Sequence, residues 1–191
     1  MEKATYLTRL ASYQHLSVGL KAYLGFTLQQ TAFKRQQQLS LSNITLGGYS
    51  YLATGSARIF LYVEDSKQEV TVLFLPCGQM LPDLQPVAQH FNGKLFLEFL
   101  EGSTLLSIPE KHMANIHKLF PESVPLNGAI NAETLAGTIS LLSSLKLLSA
   151  NERLEKLLDS FPGVFALAAV KDIASYLGIH PSTLSAMRNK K

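Results

Sequence analysis

The spacing of the apolar residues changes twice along this chain, and that change restricts the fold more than any other feature. From Thr5 to Leu28, and again after Pro109, apolar residues recur every three or four positions, as on one face of a helix. Between residues 57 and 108 apolar and polar residues alternate instead, which is typical of strands. Strands grouped between helices predict an α+β fold in which the short strands form a sandwich or barrel.

Two pairs of strands are predicted in this middle part. Residues 57–63 and 70–74 alternate on either side of a polar stretch at 64–67, which predicts a hairpin. Residues 94–101 and 104–108 predict a second pair of strands, joined by a short turn that contains a glycine.

A longer helix is predicted from about Asn131 to Leu148. Leu135, Ile139 and Leu142 occupy positions i, i+4 and i+7 of this helix and form a wide apolar stripe. Two interpretations are open: a core helix of its own subunit, or a helix buried partly on the strands and partly on a second subunit. In the second interpretation these three residues form a dimer interface.

The chain ends with the pattern of a helix-turn-helix. A capping box at Ser149–Glu152 predicts the start of a helix, and a later helix over Val170–Leu177 is followed by Gly178 and by Pro181 at a first helical position. The polar, cationic face of the last helix suits phosphate and limited base contacts. We expect DNA contacts from Ser182, Thr183, Ser185, Arg188, Lys190 and Lys191. An ordinary helical hairpin with a basic tail fits the same periodicity.

Composition argues against several classes of protein. The chain has 191 residues, a formal net charge of +3 and one cysteine. One cysteine cannot form an internal disulfide or a CxxC zinc clip, so we expect no metal site. The chain has no stretch of about 18 apolar residues, which predicts a cytoplasmic protein without membrane contact. Catalytic motifs such as GxSxG and HExxH do not occur, so we expect no enzyme and no cofactor.

The stretch KDIASYLGIHPSTLSAMR, residues 171–188, closely resembles the C-terminal signature of Crp/Fnr-type transcription regulators. The order of parts is similar to that family over nearly the whole chain. The resemblance implies an N-terminal β-roll, a cyclic-nucleotide-binding-like jelly roll with flanking helices, over residues 1–127. It further implies a long dimerisation helix over 128–148 and a C-terminal helix-turn-helix domain, winged-helix-like, over 149–191. The implied partners are double-stranded DNA, a second copy of the chain and RNA polymerase.

One departure from the family lies in the stretch from Pro76 to Phe99. Members that bind cyclic nucleotides carry a Gly-Glu pair and an arginine here, and this chain has neither. Asp83 and Lys94 stand near those places and are the candidate effector-pocket residues, but a lysine lacks the planar fork that grips a phosphate. We therefore expect no response to cyclic nucleotide. The pocket either holds a different, unidentified small molecule or is filled by side chains such as Phe91, Phe96 and Phe99.

A second departure lies in the last helix. Relatives place a glutamate and an arginine where this chain has Ser182 and Ala186, and losing a bidentate arginine forfeits about 1–3 kcal/mol of base discrimination. This motivates an alternative hypothesis, in which the chain is a small-molecule sensor or a dimeric interaction module whose DNA reading is reduced or lost.

Overall fold

Two short helices, α1 (Glu2–Ala11) and α2 (Val18–Thr27), precede the first strand. The computed structural model describes residues 2–41, 46–84, 88 and 93–189. Ser17 caps α2, because its hydroxyl oxygen accepts a hydrogen bond from the Leu20 amide at 3.1 Å. The apolar faces of both helices are buried in one core cluster, which confirms the helices predicted in this part of the chain.

Within the described residues the middle of the chain forms seven strands: β1 (Gln29–Phe33), β2 (Gln38–Ser40), β3 (Gly48–Thr54), β4 (Ala57–Val63), β5 (Gln68–Leu75), β6 (Lys94–Phe99) and β7 (Ser103–Ile108). They make two antiparallel sheets, one in the order β1-β7-β3 and the other in the order β2-β6-β4-β5. Ile59, Leu97 and Leu105 are buried in a core between the sheets. This arrangement confirms the predicted β-roll.

The first predicted strand pair is confirmed, because β4 and β5 form an antiparallel hairpin in which Tyr62 lies opposite Glu69. The second prediction was wrong in one respect. β6 and β7 follow each other in the chain, but β6 pairs with β4 and β2, whereas β7 pairs with β1 and β3. The reason is burial: Leu97 and Phe99 of β6 pack face to face with Leu105 of β7 across the core. The turn between them carries the chain from one sheet to the other.

Two helices follow the strands: α3 (Glu110–Leu119) and the 25-residue α4 (Ser123–Leu147). The long helix begins at Ser123, eight residues before the predicted start, because Pro125 lies in the first turn, where its missing N–H is tolerated. The N-terminal half of α4 packs on the β-roll side through Leu126 and Ile130, and Glu133 accepts a hydrogen bond from Arg9 of α1 at 2.7 Å.

The described residues after α4 form helices only: α5 (Ala150–Ser160), the single turn α6 (Val164–Leu167), α7 (Val170–Leu177) and α8 (Pro181–Arg188). The capping box is confirmed, because the Ser149 hydroxyl accepts from the Glu152 amide while the Glu152 carboxylate accepts from the Ser149 amide. These helices share a hydrophobic core that also includes Phe74 of β5 and Leu100. The C-terminal unit therefore packs directly on the β-roll.

Candidate functional site

The last two helices, α7 and α8, form a helix-turn-helix. Gly178 follows α7 with a φ of +65°, a left-handed conformation that glycine adopts without a steric penalty from Cβ. Ile173, Ala174 and Leu184 are fully buried where the helices cross. The small side chain of Ala174 lies in this crossing, as the sequence pattern predicts.

The opposite side of α8 is a polar, exposed surface. Of the six predicted contact residues, Lys190 and Lys191 lie outside the described residues, and four are exposed on α8: Ser182, Thr183, Ser185 and Arg188. The Ser185 hydroxyl donates a hydrogen bond to the Pro181 carbonyl at 3.0 Å, and its oxygen remains able to accept one. The Arg188 guanidinium lies over the Phe165 ring, 5.3 Å from its centroid. Arg188 therefore supplies a positioned positive charge beside three small hydroxyl-bearing side chains.

His180 is a candidate contact residue that sequence reasoning missed. It is the N-cap of α8, and its Nδ1 accepts a hydrogen bond from the Ser182 amide at 3.3 Å and lies 2.7 Å from the Ser182 hydroxyl oxygen. The side chain is exposed at the start of α8. Its place directly before Pro181 marks it as an N-cap, which is the signal that would have identified it.

The second half of α4 carries an exposed apolar stripe. Leu135, Ile139 and Leu142 are 60%, 55% and 53% exposed, although such side chains are usually buried in a folded protein. Residues 135, 139 and 142 follow the spacing of four and three that lines the seam of a two-helix coiled coil. A stripe of this kind suits a second helix of the same type.

A cavity of about 860 Å³ lies between the β-roll and the N-terminal half of α4. Its wall includes Tyr49 and Ser50 of β3, Met113 and His117 of α3, and Asn127 of α4. The His117 Nδ1 lies 3.1 Å from the Ser123 hydroxyl oxygen, which ties α3 to the start of α4. The cavity mixes apolar surface with hydrogen-bonding groups, as small-molecule sites usually do.

No model of a protein family and no curated protein sequence matches this chain. Solved structures do match: a proposed transcriptional regulator of the Crp/Fnr family from Eubacterium rectale is 18% identical with a TM-score of 0.66, covering 92% of this chain and 83% of that one. FixK2 from Bradyrhizobium japonicum is 16% identical with a TM-score of 0.67, covering 85% and 83%. CLP from Xanthomonas campestris, described as a c-di-GMP responsive global regulator, is 13% identical with a TM-score of 0.63, covering 91% of both chains.

The fold is that of the Crp/Fnr regulators. The fold that the sequence resemblance implies is thereby confirmed over most of the chain. At identities below 20% this likeness shows the fold alone.

The two predicted effector-pocket residues are not brought together in this Crp/Fnr fold. Asp83 lines the cavity, whereas Lys94 is not among the described lining residues. The Lys94 ammonium pairs with the Glu64 carboxylate at 2.8 Å, on the exposed end of the β4–β5 hairpin. This ion pair is solvent-exposed and lies away from the cavity.

In the alternative in which side chains fill the pocket, Phe91, Phe96 and Phe99 were the candidates, and the two of them that the structure describes lie elsewhere. Phe99 stacks on Phe33 at 4.2 Å between ring centroids in the β-roll core, and Phe96 stacks on Phe60 at 5.3 Å. Neither is among the described residues that line the cavity, and Phe91 lies outside the described residues. Among the described residues no cluster of histidine, cysteine, aspartate or glutamate is arranged to hold a metal ion, and no helix has the length and apolarity needed to cross a membrane.

Proposed function

We propose that this protein is a homodimeric, DNA-binding transcription regulator of the Crp/Fnr type that acts in the cytoplasm and does not respond to cyclic nucleotide. Double-stranded DNA and a second copy of the chain are the partners on which the proposal depends. RNA polymerase is the further partner that such a regulator would meet at a promoter. No catalytic role is assigned to any residue.

One observation carries the proposal: an exposed recognition helix lies in the same chain as a long helix with a bare apolar stripe. α8 presents Arg188 and three hydroxyl-bearing side chains to solvent, and α4 presents Leu135, Ile139 and Leu142. If two α4 helices pair along that stripe, a two-fold axis relates the two copies of α8. Paired helix-turn-helix units read half-sites about 34 Å apart, which is one turn of DNA.

The charges around the cavity support an effector other than a cyclic nucleotide. The described lining includes the acids Asp83 and Glu110 but neither lysine nor arginine. Residues 42–45 and 85–92 also contain no lysine or arginine in the sequence. A cyclic phosphate is anionic and needs a cationic partner when it leaves water, so a lining with two acids and no lysine or arginine favours a neutral or cationic small molecule. Calorimetric titration with cyclic AMP should therefore give no binding heat.

The first experiment is selection of random DNA duplexes by the purified full-length protein. We expect enrichment of a palindrome with half-sites one turn apart. Affinity for that duplex should fall as salt rises, because neutralised phosphates release condensed counterions. Affinity that does not change with salt would contradict phosphate anchoring.

A pair of variants tests the recognition helix on the selected duplex. Arg188→Ala should weaken binding to all duplexes to a similar degree and reduce the slope of log K against log salt by about 1. Lys21→Ala removes an exposed charge from α2 and should leave both quantities unchanged. Equal behaviour of the two variants would mean that α8 does not face the DNA.

A second candidate function is a small-molecule sensor or dimeric interaction module without DNA reading. The observations that favour it are Ser182 and Ala186 at the places of base-contacting residues, together with the cavity of about 860 Å³. This function would be supported if a folded dimer enriched no DNA sequence in the duplex selection. Repeating the selection with Ala186→Arg would then separate a lost arginine contact from a missing activating ligand.

A further inference from the structure

Arg58 is a buried arginine at the boundary between the β-roll and the C-terminal helices. Its side chain is only 3% exposed, and its guanidinium contacts carboxylates from three different elements. Nε lies 2.5 Å from Glu98 of β6, Nη2 lies 2.8 Å from Glu69 of β5, and Nη1 lies 2.8 Å from Asp172 of α7. Nη1 also donates to the Thr71 hydroxyl at 3.0 Å. One side chain therefore joins three strands of one sheet to the first helix of the helix-turn-helix.

A second polar contact lies beside this cluster. The Thr71 amide of β5 donates a hydrogen bond to the Ser175 hydroxyl of α7 at 3.0 Å. β5 is the last strand of its sheet, so an amide on its free edge has no neighbouring strand to bind. Ser175 takes that place. Apolar packing completes the contact, because the ring of Phe74 lies 5.1 Å from that of Tyr176 between centroids.

Acids outnumber bases in the cluster. Glu69, Glu98 and Asp172 face Arg58 and the more distant Lys171, whose ammonium lies 3.7 Å from Glu69. Burial raises the pKa of Asp172, and the nearby Glu69 and Glu98 add to that effect against the pull of Arg58 and Lys171. Without a charge at position 172, Arg58 would still face the carboxylates of Glu69 and Glu98. An asparagine at position 172 would still offer Arg58 an acceptor oxygen.

We propose that Arg58 is a latch that holds the helix-turn-helix unit in one docked position on the outer face of the four-stranded sheet. The latch is closed when Nη1 of Arg58 contacts the side chain at position 172. In the closed state the Thr71 amide is hydrogen-bonded to Ser175, so its exchange rate with solvent measures the closure. Its consequence rests on the proposed function: in a DNA-binding dimer, the docked position sets the distance between the two recognition helices. With the latch open, the unit loses the Arg58 contact and is held by its connection to α4 and by the apolar packing around Phe74.

Amide hydrogen exchange at Thr71, followed by NMR on the full-length protein without DNA, tests the latch. Asp172→Lys places a larger, cationic side chain against Arg58 and should open it. Ser175→Arg should open it by another route, because a large side chain at position 175 cannot fit against Thr71 of β5. We expect both variants to speed exchange at Thr71 about tenfold or more, while the amides of the central strand β6 stay protected.

Two controls match these changes. Asp172→Asn keeps the acceptor oxygen, and Asp159→Lys makes the same charge reversal on the exposed side of α5, so both should exchange at the wild-type rate. If Thr71 exchanges at the wild-type rate in Asp172→Lys, the latch proposal is overturned. This holds also when Ser175→Arg alone accelerates that exchange. Equal acceleration of the β6 amides in Asp172→Lys would also overturn it, since Asp172 would then stabilise the β-roll itself. Because no DNA is present, the result does not depend on the outcome of duplex selection.

Discussion

His180 is a weak N-cap for the last helix, α8. An imidazole is not among the side chains that cap helices well, which are asparagine, aspartate, serine and threonine. Here Nδ1 accepts from the Ser182 amide only at 3.3 Å, so one of the free amides of the first turn is weakly satisfied. The first turn of α8 is therefore less stable than it would be with asparagine, aspartate, serine or threonine as its N-cap.

Replacement of this cap should stabilise the protein. His180→Asn puts a preferred side-chain oxygen at the N-cap and should raise the free energy of unfolding by about 0.5–1 kcal/mol. Urea denaturation at one fixed protein concentration measures the change. His15→Asn alters an exposed histidine outside the helices and should have no effect; an equal gain in both variants would show that the cap is not the cause.

At the residue scale, local backbone rules were predictable and distant partners were not. Gly178 and Pro181 were identified from the sequence, because a left-handed turn and a first helical position each favour one residue type. Arg58 was not identified. Its place in an alternating strand indicates only that it points away from the sheet core, and the docked helix α7 that buries it is 114 residues further along the chain.

At the scale of the element, the turn between α7 and α8 depends on a residue without a Cβ. Gly178 has a φ of +65°, and a Cβ there would lie 3.2 Å from Cδ2 of Leu145 on α4. Both the backbone conformation and the approach of α4 therefore restrict this position. The absence of a Cβ at Gly178 therefore serves both the left-handed turn and the close packing of α4 on the helix-turn-helix.

Two glycine-to-alanine variants with opposite expected signs test this link. Gly178→Ala should lower the free energy of unfolding by about 1–2 kcal/mol, because alanine resists the left-handed region. Gly137→Ala lies in the helical part of α4 with no atom within 4 Å of the added Cβ, and should raise the free energy by about 0.5–1 kcal/mol. Thermal or urea unfolding measures both, and stabilisation by Gly178→Ala would contradict the structural role of the turn.

Element boundaries show where periodicity is insufficient. The β4–β5 hairpin was predicted because its polar turn and its alternation agree. The pairing of β6 with β7 was predicted by the same rule and was wrong, since alternation reports which face is buried and not which strand is the neighbour. The early start of α4 was missed because Pro125 and Gly128 weaken its helical signal, although Leu126 and Ile130 are buried there.

At the scale of the whole molecule, the exposed stripe of α4 predicts the dimer. Ile139→Glu places a charge at the centre of the proposed seam and should raise the dimer dissociation constant at least about 100-fold, because an unpaired charge cannot be buried cheaply. Light scattering or sedimentation over a range of concentrations measures the dissociation.

The same helix offers a matched control. Leu147→Glu also replaces an apolar residue by a glutamate, at a position that is 81% exposed and turned about 110° away from the seam. It should leave the dimer intact. A monomeric wild type, or equal dissociation by both variants, would contradict pairing through Leu135, Ile139 and Leu142.

The overall architecture was predictable from the resemblance of the last 20 or so residues and from the order of parts, and the comparisons confirm it as a fold. The pocket was less predictable. Asp83 lies on the cavity wall, whereas Lys94 pairs with Glu64 on the neighbouring hairpin, a partner that its position in the chain does not indicate. An effector contact by either residue stays a prediction. The domain boundaries at 127 and 148 and the DNA contacts stay predictions.

The hydrogen bond from Thr71 to Ser175 also has a consequence for solubility. β5 is an edge strand, and Val70 and Val72 on it are 36% and 37% exposed even in the docked protein. An uncovered edge with valines on it is a template for strand addition by another chain. The docked helix α7 occupies this edge at Thr71, so we expect undocking to favour edge-to-edge aggregation.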